Sequence, residues 1–353
     1  MRCSYAPFLS RNLKARSNGA DLAKFSHSSI RRPLISPEPI SFLAADGYCL
    51  HGMYWGHGKV SSVGAVLING ATGMKCSYYA NYAQYLAGLG FNVLTFDYRG
   101  IGLSRPNNIR ELNVTKRDWG LYDTEGAIVK LMQLGPDDQP LSAVCSSIGG
   151  FTLGLALSSK HFQRALFVGC QIAYCNDYIK ERRLEYFLKW HLVMPVLAVL
   201  CGYFPGRQLG WSEDLPKGVA LEWGLRLNPS FHYYYHLLPH DLTVISVEGM
   251  KERMAAVKAE VLSIADIDDE FATPAAVQRL MSHFVNADHR FVQIDSSLLG
   301  NGAPMGHVGF FNKRCKPNLW PQSAEWLLHG NHPWTEISRT NRPNDKLDNE
   351  IIK

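Results

Sequence analysis

Short apolar runs that alternate with helix-like runs constrain this chain more than any other feature of its sequence. Gly64–Asn69 reads GAVLIN, so both faces of a strand formed there would be apolar. Strands of this kind occur where helices cover both faces of a parallel sheet. The pattern recurs at Asn92–Asp97, Leu141–Ser146 and Ala165–Gly169. The sequence therefore predicts an α/β fold with an open, mostly parallel central sheet flanked by helices.

Segments with apolar residues at helical spacing separate these strands. Helices are predicted at Tyr78–Leu89, Asp118–Leu134 and Ile148–Ser159. A hairpin precedes them, with strands at Ile40–Ala45 and Tyr48–Trp55 around a turn at Asp46-Gly47. After a break, the predicted elements are a strand at Glu260–Ala265, a helix at Pro274–Phe284, a strand at His289–Ile294 and a helix at Trp320–His329.

The break in the alternation falls in residues 176–250, which are rich in Tyr, Trp, His and Leu. So many large rings must bury area, and the nearest surface is the carboxyl edge of the sheet, where ligands bind in such folds. We therefore predict a helical cap at 176–250, inserted into a core formed by 39–175 and 251–330. A basic leader at 1–38 and a C-terminal tail at 331–353 flank the core.

The net charge of +5 is concentrated near the N-terminus. Residues 1–38 carry seven Lys or Arg and two acidic residues, which leaves 29 basic and 29 acidic residues in the remainder. A neutral body argues against a nucleic-acid partner. The eight Cys form no C-x-x-C pair, which suits a reducing compartment. A cytoplasmic location is predicted, with organelle targeting through the leader as the alternative.

The longest apolar stretch runs from Leu192 to Phe204 and contains Pro195 and Gly202. It is shorter than the roughly 20 residues that span a bilayer. A buried helix or a substrate-facing surface of the cap is predicted there, and no transmembrane segment is expected.

The sharpest local signal is small-x-Ser-x-Gly between an apolar strand and a helix, the arrangement of a nucleophile elbow. Cys145 and Gly149 are the small residues, and Ser147 stands at the apex. The backbone amide of Ile148 would stabilise an oxyanion at the start of the helix. The alternative is an ordinary strand–loop–helix junction with Ser146 or Ser147 as the helix N-cap.

A serine nucleophile needs a histidine base that a carboxylate orients, and on this fold they follow the order Ser, acid, His. An acidic loop follows the strand at Glu260–Ala265, and Asp269 is its predicted catalytic acid, with Asp268 as the rival. His307, in the Gly-flanked loop before the last helix, is the predicted base. A helix N-cap for Asp269 and a structural role for His307 are the alternatives.

The loop Asn69-Gly70-Ala71-Thr72-Gly73 follows the first apolar strand. The amide of Ala71 or Thr72 would be the second oxyanion donor, and a flexible connector is the alternative. This Gly-rich loop lacks the Lys-Ser/Thr of a phosphate-binding loop. No cofactor is therefore predicted.

Three histidines in the insertion recur at four-residue spacing, at His232, His236 and His240. Pro239 would break their common helical face, and no acidic base accompanies them. Aromatic packing is favoured, and no metal is predicted.

Four motifs carry a resemblance to a known group. NVLTFDYRGIGLS (92–104), SSIGG (146–150), IDDEFATP (267–274) and GHVGFF (306–311) resemble α/β-hydrolases of the serine aminopeptidase/monoacylglycerol-lipase-like group. The resemblance extends over about residues 40–330. It implies the α/β-hydrolase fold, with Ser147 as nucleophile, Asp269 as acid and His307 as base.

The sequence departs from the group at two places. Cys145-Ser146 stands where the group usually has Gly-His, and Asn69-Gly70 stands where it has His-Gly. Neither change removes a catalytic atom, although both leave the shape and polarity of the acyl pocket open.

The function predicted from the sequence is that of a serine hydrolase acting on a small-molecule carboxylic ester, with a medium or long acyl chain because the cap is apolar. A peptidase or amidase on the same triad is the first alternative, with a substrate anchor from Glu222, Arg226 or residues 180–183. A non-catalytic binding protein of the same fold is the second. The oligomeric state stays open.

Overall fold

The computed structural model describes residues 35–58, 62–228, 245–295, 304–334 and 338–340. The strands of the main sheet are β1 (Glu38–Leu43), β2 (Cys49–Trp55), β3 (Gly64–Asn69), β4 (Phe91–Asp97), β5 (Leu141–Ser146), β6 (Arg164–Val168), β9 (Glu260–Asp266), β10 (Asp288–Ile294) and β11 (Ser338–Thr340). Within the described ranges they form one nine-stranded sheet in the order β1-β2-β4-β3-β5-β6-β9-β10-β11. A separate pair joins β7 (Tyr203–Phe204) and β8 (Leu215–Pro216).

The centre of the main sheet is parallel, as predicted. Strands β4, β3, β5, β6, β9 and β10 pair in parallel, whereas β1, β2 and β11 add antiparallel edges. Every residue of β3, β4 and β5 is buried, because helices cover both faces. The carboxyl ends of these strands lie at one edge of the sheet, and the loops that follow them can meet there.

The helices in the described residues are α1 (Ala80–Gly88), α2 (Lys116–Asp118), α3 (Glu125–Leu134), α4 (Gly149–Leu155), α5 (Arg183–Tyr186), α6 (Met194–Cys201), α7 (Gly206–Leu209), α8 (Lys217–Gly224), α9 (Val247–Ala255), α10 (Pro274–Met281) and α11 (Trp320–His329). Helices stand where the sequence predicts them between the strands of the main sheet. A π-helical turn at Trp119–Thr124 joins α2 to α3, and another at Phe187–Val193 joins α5 to α6.

One predicted helix ends earlier than its apolar pattern indicates. The prediction ran from residue 148 to Ser159, whereas α4 ends at Leu155 and a 3₁₀ helix follows at Leu157–His161. The Glu125 carboxylate accepts hydrogen bonds from the Ser158 amide at 2.7 Å and from its hydroxyl at 2.6 Å. This contact from α3 fixes the chain in the tighter turn, and sequence periodicity does not report such a contact.

The segment predicted as a cap contains α5 to α8 and the small β7–β8 hairpin in its described part. Its longest helical run, Lys180–Cys201, extends well before the apolar stretch that begins at Leu192. One face of this run is buried and the other is exposed, so the helix expected here is buried on one side only. His232, His236 and His240 lie outside the described residues. All seven Cys that are described are free thiols.

His289 is expected to make the fold sensitive to mild acid. This buried side chain on β10 places Nε2 3.0 Å from the Ser263 hydroxyl on β9. Burial lowers the pKa of His289 to about 4, from 6.5 in an exposed imidazole. The unfolded chain therefore binds this proton first, and the free energy of unfolding falls as pH drops from 6.5 towards 4, by up to about 3 kcal/mol.

Urea unfolding of wild type and His289→Gln at pH 7 and at pH 4.5 measures this contribution. We expect the glutamine variant to lose less stability between the two pH values than wild type. An equal loss in the two proteins would assign the acid sensitivity to other buried histidines, such as His191.

Candidate active site

Ser147 stands on a strained turn directly after β5. Its φ of 54° lies in the left-handed region that non-glycine residues seldom adopt, and its amide donates to the Val168 carbonyl at 3.0 Å. A Cβ on Gly149 would lie 2.5 Å from the Asn69 carbonyl oxygen, so only glycine fits there. The N-cap of α4 is Ile148, with no side-chain capping bond. The serine is thus held by a tight turn and does not act as an ordinary N-cap.

The structure brings Ser147, His307 and Asp269 together in one hydrogen-bonded series. His307 Nε2 lies 2.8 Å from Ser147 Oγ, and His307 Nδ1 lies 2.9 and 3.0 Å from the two carboxylate oxygens of Asp269. Ser147 and Asp269 are buried, and the His307 side chain is 19% exposed. This is the geometry in which an imidazole accepts a hydroxyl proton while a carboxylate fixes its tautomer.

Asp269 is also held by its own loop. Its Oδ1 accepts hydrogen bonds from the amides of Phe271 and Ala272, both at 2.9 Å. The N-cap of α10 is instead Thr273, whose hydroxyl accepts from Ala276. The N-cap alternative for Asp269 is therefore wrong, and its carboxylate points at the imidazole.

Asp268, the rival acid, serves the same loop in another way. Its carboxylate accepts the amide of Gly306, the residue before His307, at 2.9 Å. Burial raises the pKa of Asp268, and the nearby charges of Asp266 and Asp269 raise it further. Asp268 therefore positions the histidine loop and does not bind the imidazole.

One predicted oxyanion donor is already engaged. The amide of Ala71 donates to the hydroxyl of Tyr79 at 2.7 Å, so it is not a free donor in this structure. Burial raises the pKa of Tyr79, which keeps the phenol neutral and able to accept this bond. Ile148, at the start of α4, and Thr72 remain the candidate donors. The role of Tyr79 was not predicted from the sequence, because the hydroxyl that contacts the loop belongs to the helical segment that follows it.

Gly169, which follows β6, is a second residue that the sequence analysis missed. Its φ is 59°, and a Cβ there would lie 2.9 Å from Asp269 Oδ2 and 3.2 Å from His307 Nδ1. Any larger residue would push the acid and the base apart. A glycine directly after a buried strand at the carboxyl edge was the signal that could have found it.

Aromatic rings extend from the histidine towards the inserted segment. The Phe271 ring lies 5.2 Å from the His307 ring, 5.4 Å from Tyr178 and 4.6 Å from Tyr186. The Trp223 Nε1 group lies 3.4 Å from the Tyr178 hydroxyl, and the Trp223 ring stacks on Trp190. One side of the site is therefore apolar.

The charged side chains considered as substrate anchors are engaged elsewhere. Glu222 accepts the amide of Lys116 at 2.7 Å and pairs with Arg117 at 3.4 Å. Arg226 is 2% exposed. At the exposed start of the insertion, Arg182 pairs with Glu270 at 2.7 Å. Among the described residues, no group of three or more His, Cys, Asp or Glu is arranged to hold a metal ion.

Comparison with solved structures identifies the fold. The DcsB structure, solved with a substrate analogue, matches with a TM-score of 0.54 at 15% identity over 83% of this chain and 99% of that one. The Pyrococcus furiosus esterase Pf2001 gives 0.52 at 16% identity, over 83% and 91%. The Paleococcus ferrophilus monoacylglycerol lipase gives 0.50 at 14% identity, over 80% and 99%. The chain therefore has the α/β-hydrolase fold.

The sequence also matches a family within this fold. Residues 61–208 match the family model described as serine aminopeptidase, S33. This match confirms the resemblance that the sequence motifs indicate. No curated protein matches the chain significantly.

Replacement of Tyr79 by phenylalanine is expected to lower kcat about tenfold with little change in KM, because the loop that carries Thr72 loses its hydrogen bond to the Tyr79 hydroxyl. Steady-state hydrolysis of a soluble p-nitrophenyl ester measures both constants. Tyr82→Phe is the matched control, since its hydroxyl contacts Ser323 at 2.8 Å, away from this loop. An unchanged or higher kcat in Tyr79→Phe would show that the hydroxyl competes for the Ala71 amide instead of positioning the loop.

Proposed function

We propose that the chain is a serine hydrolase that cleaves carboxylic esters through an acyl-enzyme. The observation that carries the proposal is the hydrogen-bonded series from Asp269 through His307 to Ser147, with the serine on a left-handed turn at the edge of the sheet. Three side chains from distant parts of the sequence meet there, and they follow the order Ser, acid, His that is typical of triads on this fold.

The proposed reaction has two acyl-transfer steps. Ser147 Oγ attacks the ester carbonyl carbon while His307 Nε2 takes the hydroxyl proton, and Asp269 stabilises the resulting imidazolium. The amides of Ile148 and Thr72 would hold the oxyanion. His307 then gives its proton to the departing alkoxide, which leaves as an alcohol. Water attacks the acyl-enzyme by the same route and releases the carboxylic acid.

The proposed substrate is an ester with a medium or long acyl chain. The rings of Phe271, Tyr178 and Tyr186 form an apolar surface beside His307. The paired charges of Arg182 and Glu270 lie at its outer end. We propose that the insertion at 176–250 acts as a cap that excludes water from the acyl-enzyme. The comparison with an esterase and a monoacylglycerol lipase supports an ester, at the level of fold only.

A peptidase or amidase would share the triad. An aminopeptidase needs a carboxylate for the substrate ammonium group, and Glu222 is occupied by contacts with Lys116 and Arg117. Parallel assays with aminoacyl p-nitroanilides and p-nitrophenyl esters separate the two activities. Faster turnover of the anilides would replace the ester proposal.

The chain-length preference tests the proposed acyl pocket. We expect kcat/KM to rise along a series of p-nitrophenyl esters from acetate to decanoate, because each buried methylene adds about 0.8 kcal/mol of binding. Phe271→Ala and Trp223→Ala should reduce this rise and leave acetate hydrolysis nearly unchanged. A uniform loss over all chain lengths, or none, would mean that these rings are scaffold and that the acyl chain binds elsewhere.

A further inference from the structure

The outer side of the helical run Lys180–Cys201 is apolar over four turns. Its exposed large side chains are Phe187, Leu188, Leu192, Val193, Val196, Val199 and Leu200, between 37% and 76% exposed, and we call them the apolar face. Between residues 187 and 200, every exposed position belongs to this face. A surface helix of a globular protein normally presents polar residues to water. A continuous exposed apolar face of this kind indicates a surface that binds another protein or a membrane.

The opposite side of the run is fixed to the protein. Trp190, Met194 and Ala198 are buried, and Trp190 stacks on Trp223 of α8. His191 Nδ1 lies 2.9 Å from the Gly224 carbonyl. The run is long and apolar enough to cross a membrane by length and composition, yet 33% of its most apolar window is buried. These contacts hold the helix lengthwise on the body, where it can lie in a membrane surface but cannot span it.

Cations and amphipathic rings flank the apolar face. Lys189 Nζ lies 4.5 Å from the Trp190 ring and 4.3 Å from the Trp211 ring, so its apolar stem runs along the indoles. At the other end, Arg110 donates to the Cys201 carbonyl at 2.8 Å and lies over the Tyr203 ring. Helices that lie at a lipid surface combine an apolar face with Lys, Arg and Trp at headgroup level.

We propose that the apolar face docks on a lipid surface that contains anionic headgroups. The alternative of a second copy of this chain needs a complementary surface. A stable protein interface packs about 800 Å² of each partner against a surface of fitting shape, whereas the apolar face is a single ridge of side chains on one helical run. A bilayer accepts a convex apolar ridge without shape complementarity, and its phosphates complement the flanking cations.

Docking would place the membrane beside the proposed catalytic centre. Tyr186, directly before the apolar face, lies 4.6 Å from the Phe271 ring, which itself lies 5.2 Å from His307. An acyl chain that leaves the lipid layer at this end of the face would pass the Arg182–Glu270 ion pair beside Tyr186 and then meet the rings that lead to His307. This part of the inference rests on the proposed function, and it makes the substrate a membrane-resident ester.

Vesicle flotation tests the docking itself. Full-length wild type is mixed with phosphatidylcholine/phosphatidylserine vesicles and compared with Leu192→Glu/Val196→Glu. The matched control is Val129→Glu/Met132→Glu, which places the same charges on exposed apolar positions of α3. We expect the first variant to bind vesicles about 100-fold more weakly than wild type. Each of the two apolar side chains that no longer inserts into the bilayer should lower the affinity about tenfold. The control should bind like wild type.

The outcomes separate docking from catalysis. All three proteins should hydrolyse p-nitrophenyl acetate equally, whereas hydrolysis of a vesicle-embedded long-chain ester should fall only in Leu192→Glu/Val196→Glu. Equal vesicle binding by wild type and this variant would overturn the docking proposal and assign the binding to other parts of the chain. A dimeric wild type by light scattering that becomes monomeric in the variant would also overturn it, in favour of a second copy. Absence of all ester hydrolysis would reject the proposed function and leave the flotation result valid.

Discussion

Replacement of Ser147 by alanine is expected to lower kcat for ester hydrolysis by about 10⁶-fold, because alanine has no oxygen to attack the carbonyl. The melting temperature should change little, since the substitution keeps the same backbone and removes only one buried hydroxyl. Stopped-flow or prolonged steady-state assays with p-nitrophenyl butyrate measure the residual rate against a no-enzyme blank.

Ser146→Ala is the matched control for this substitution. Ser146 is the last residue of β5 and is fully buried, whereas the His307 imidazole contacts the hydroxyl of its neighbour. The control should keep most of its activity. A dead Ser146→Ala together with an active Ser147→Ala would mean that the nucleophile is the neighbouring serine.

Asp269→Asn is expected to reduce kcat by about 10⁴-fold, with KM nearly unchanged. The carboxylate contacts His307 Nδ1 with both oxygens, and an amide in its place favours the tautomer that cannot accept the Ser147 proton. Activity should be measured over a range of pH, because loss of the carboxylate that orients the general base also changes the shape of the pH profile.

Asp268→Asn provides the comparison, since it changes the same group one residue away. Its amide oxygen can still accept the Gly306 hydrogen bond, so a loss of no more than about tenfold is expected. Equal losses in the two variants would contradict the assignment of the acid. Asp177, in the short 3₁₀ helix Cys175–Asp177, is a poor alternative for the catalytic acid, because Arg279 donates to both of its carboxylate oxygens at 2.6 and 2.9 Å.

The central sheet could be predicted from the sequence because its strands are apolar on both faces. β3, β5 and α11 begin and end at the predicted residues. Both faces of such a strand are buried, so most of its side chains are apolar and composition alone identifies the strand. The short antiparallel β11 was not predicted, since its three residues lie in the expected tail and pair with β10 at the edge.

The candidate site could be predicted because its chemistry fixes the residue types and the fold fixes their order along the chain. Ser147, Asp269 and His307 each follow a recognisable strand, and parallel strands bring their loops to one edge. The hydrogen bond of Tyr79 to Ala71 and the close approach of Gly169 to the acid–base pair depend on packing. Sequence patterns do not report such contacts between separate elements.

The two departures from the related group have a partial explanation in packing. Asn69 is fully buried, and its amide group donates to the Gly149 carbonyl at 3.4 Å, which ties the loop at 69–73 to the turn at Ser147. Ser146, the residue before Ser147, is also fully buried. Both positions support the turn from within the protein, so neither side chain is expected to contact the acyl group.

Covalent labelling locates the proposed nucleophile directly. A fluorophosphonate probe reacts with a serine that is activated by a histidine base, and peptide mass spectrometry then locates the adduct. We predict a single adduct on the peptide that contains Ser147, at one probe per chain, which His307→Ala prevents. An adduct on another residue, or efficient ester hydrolysis by a protein that the probe does not label, would contradict the account.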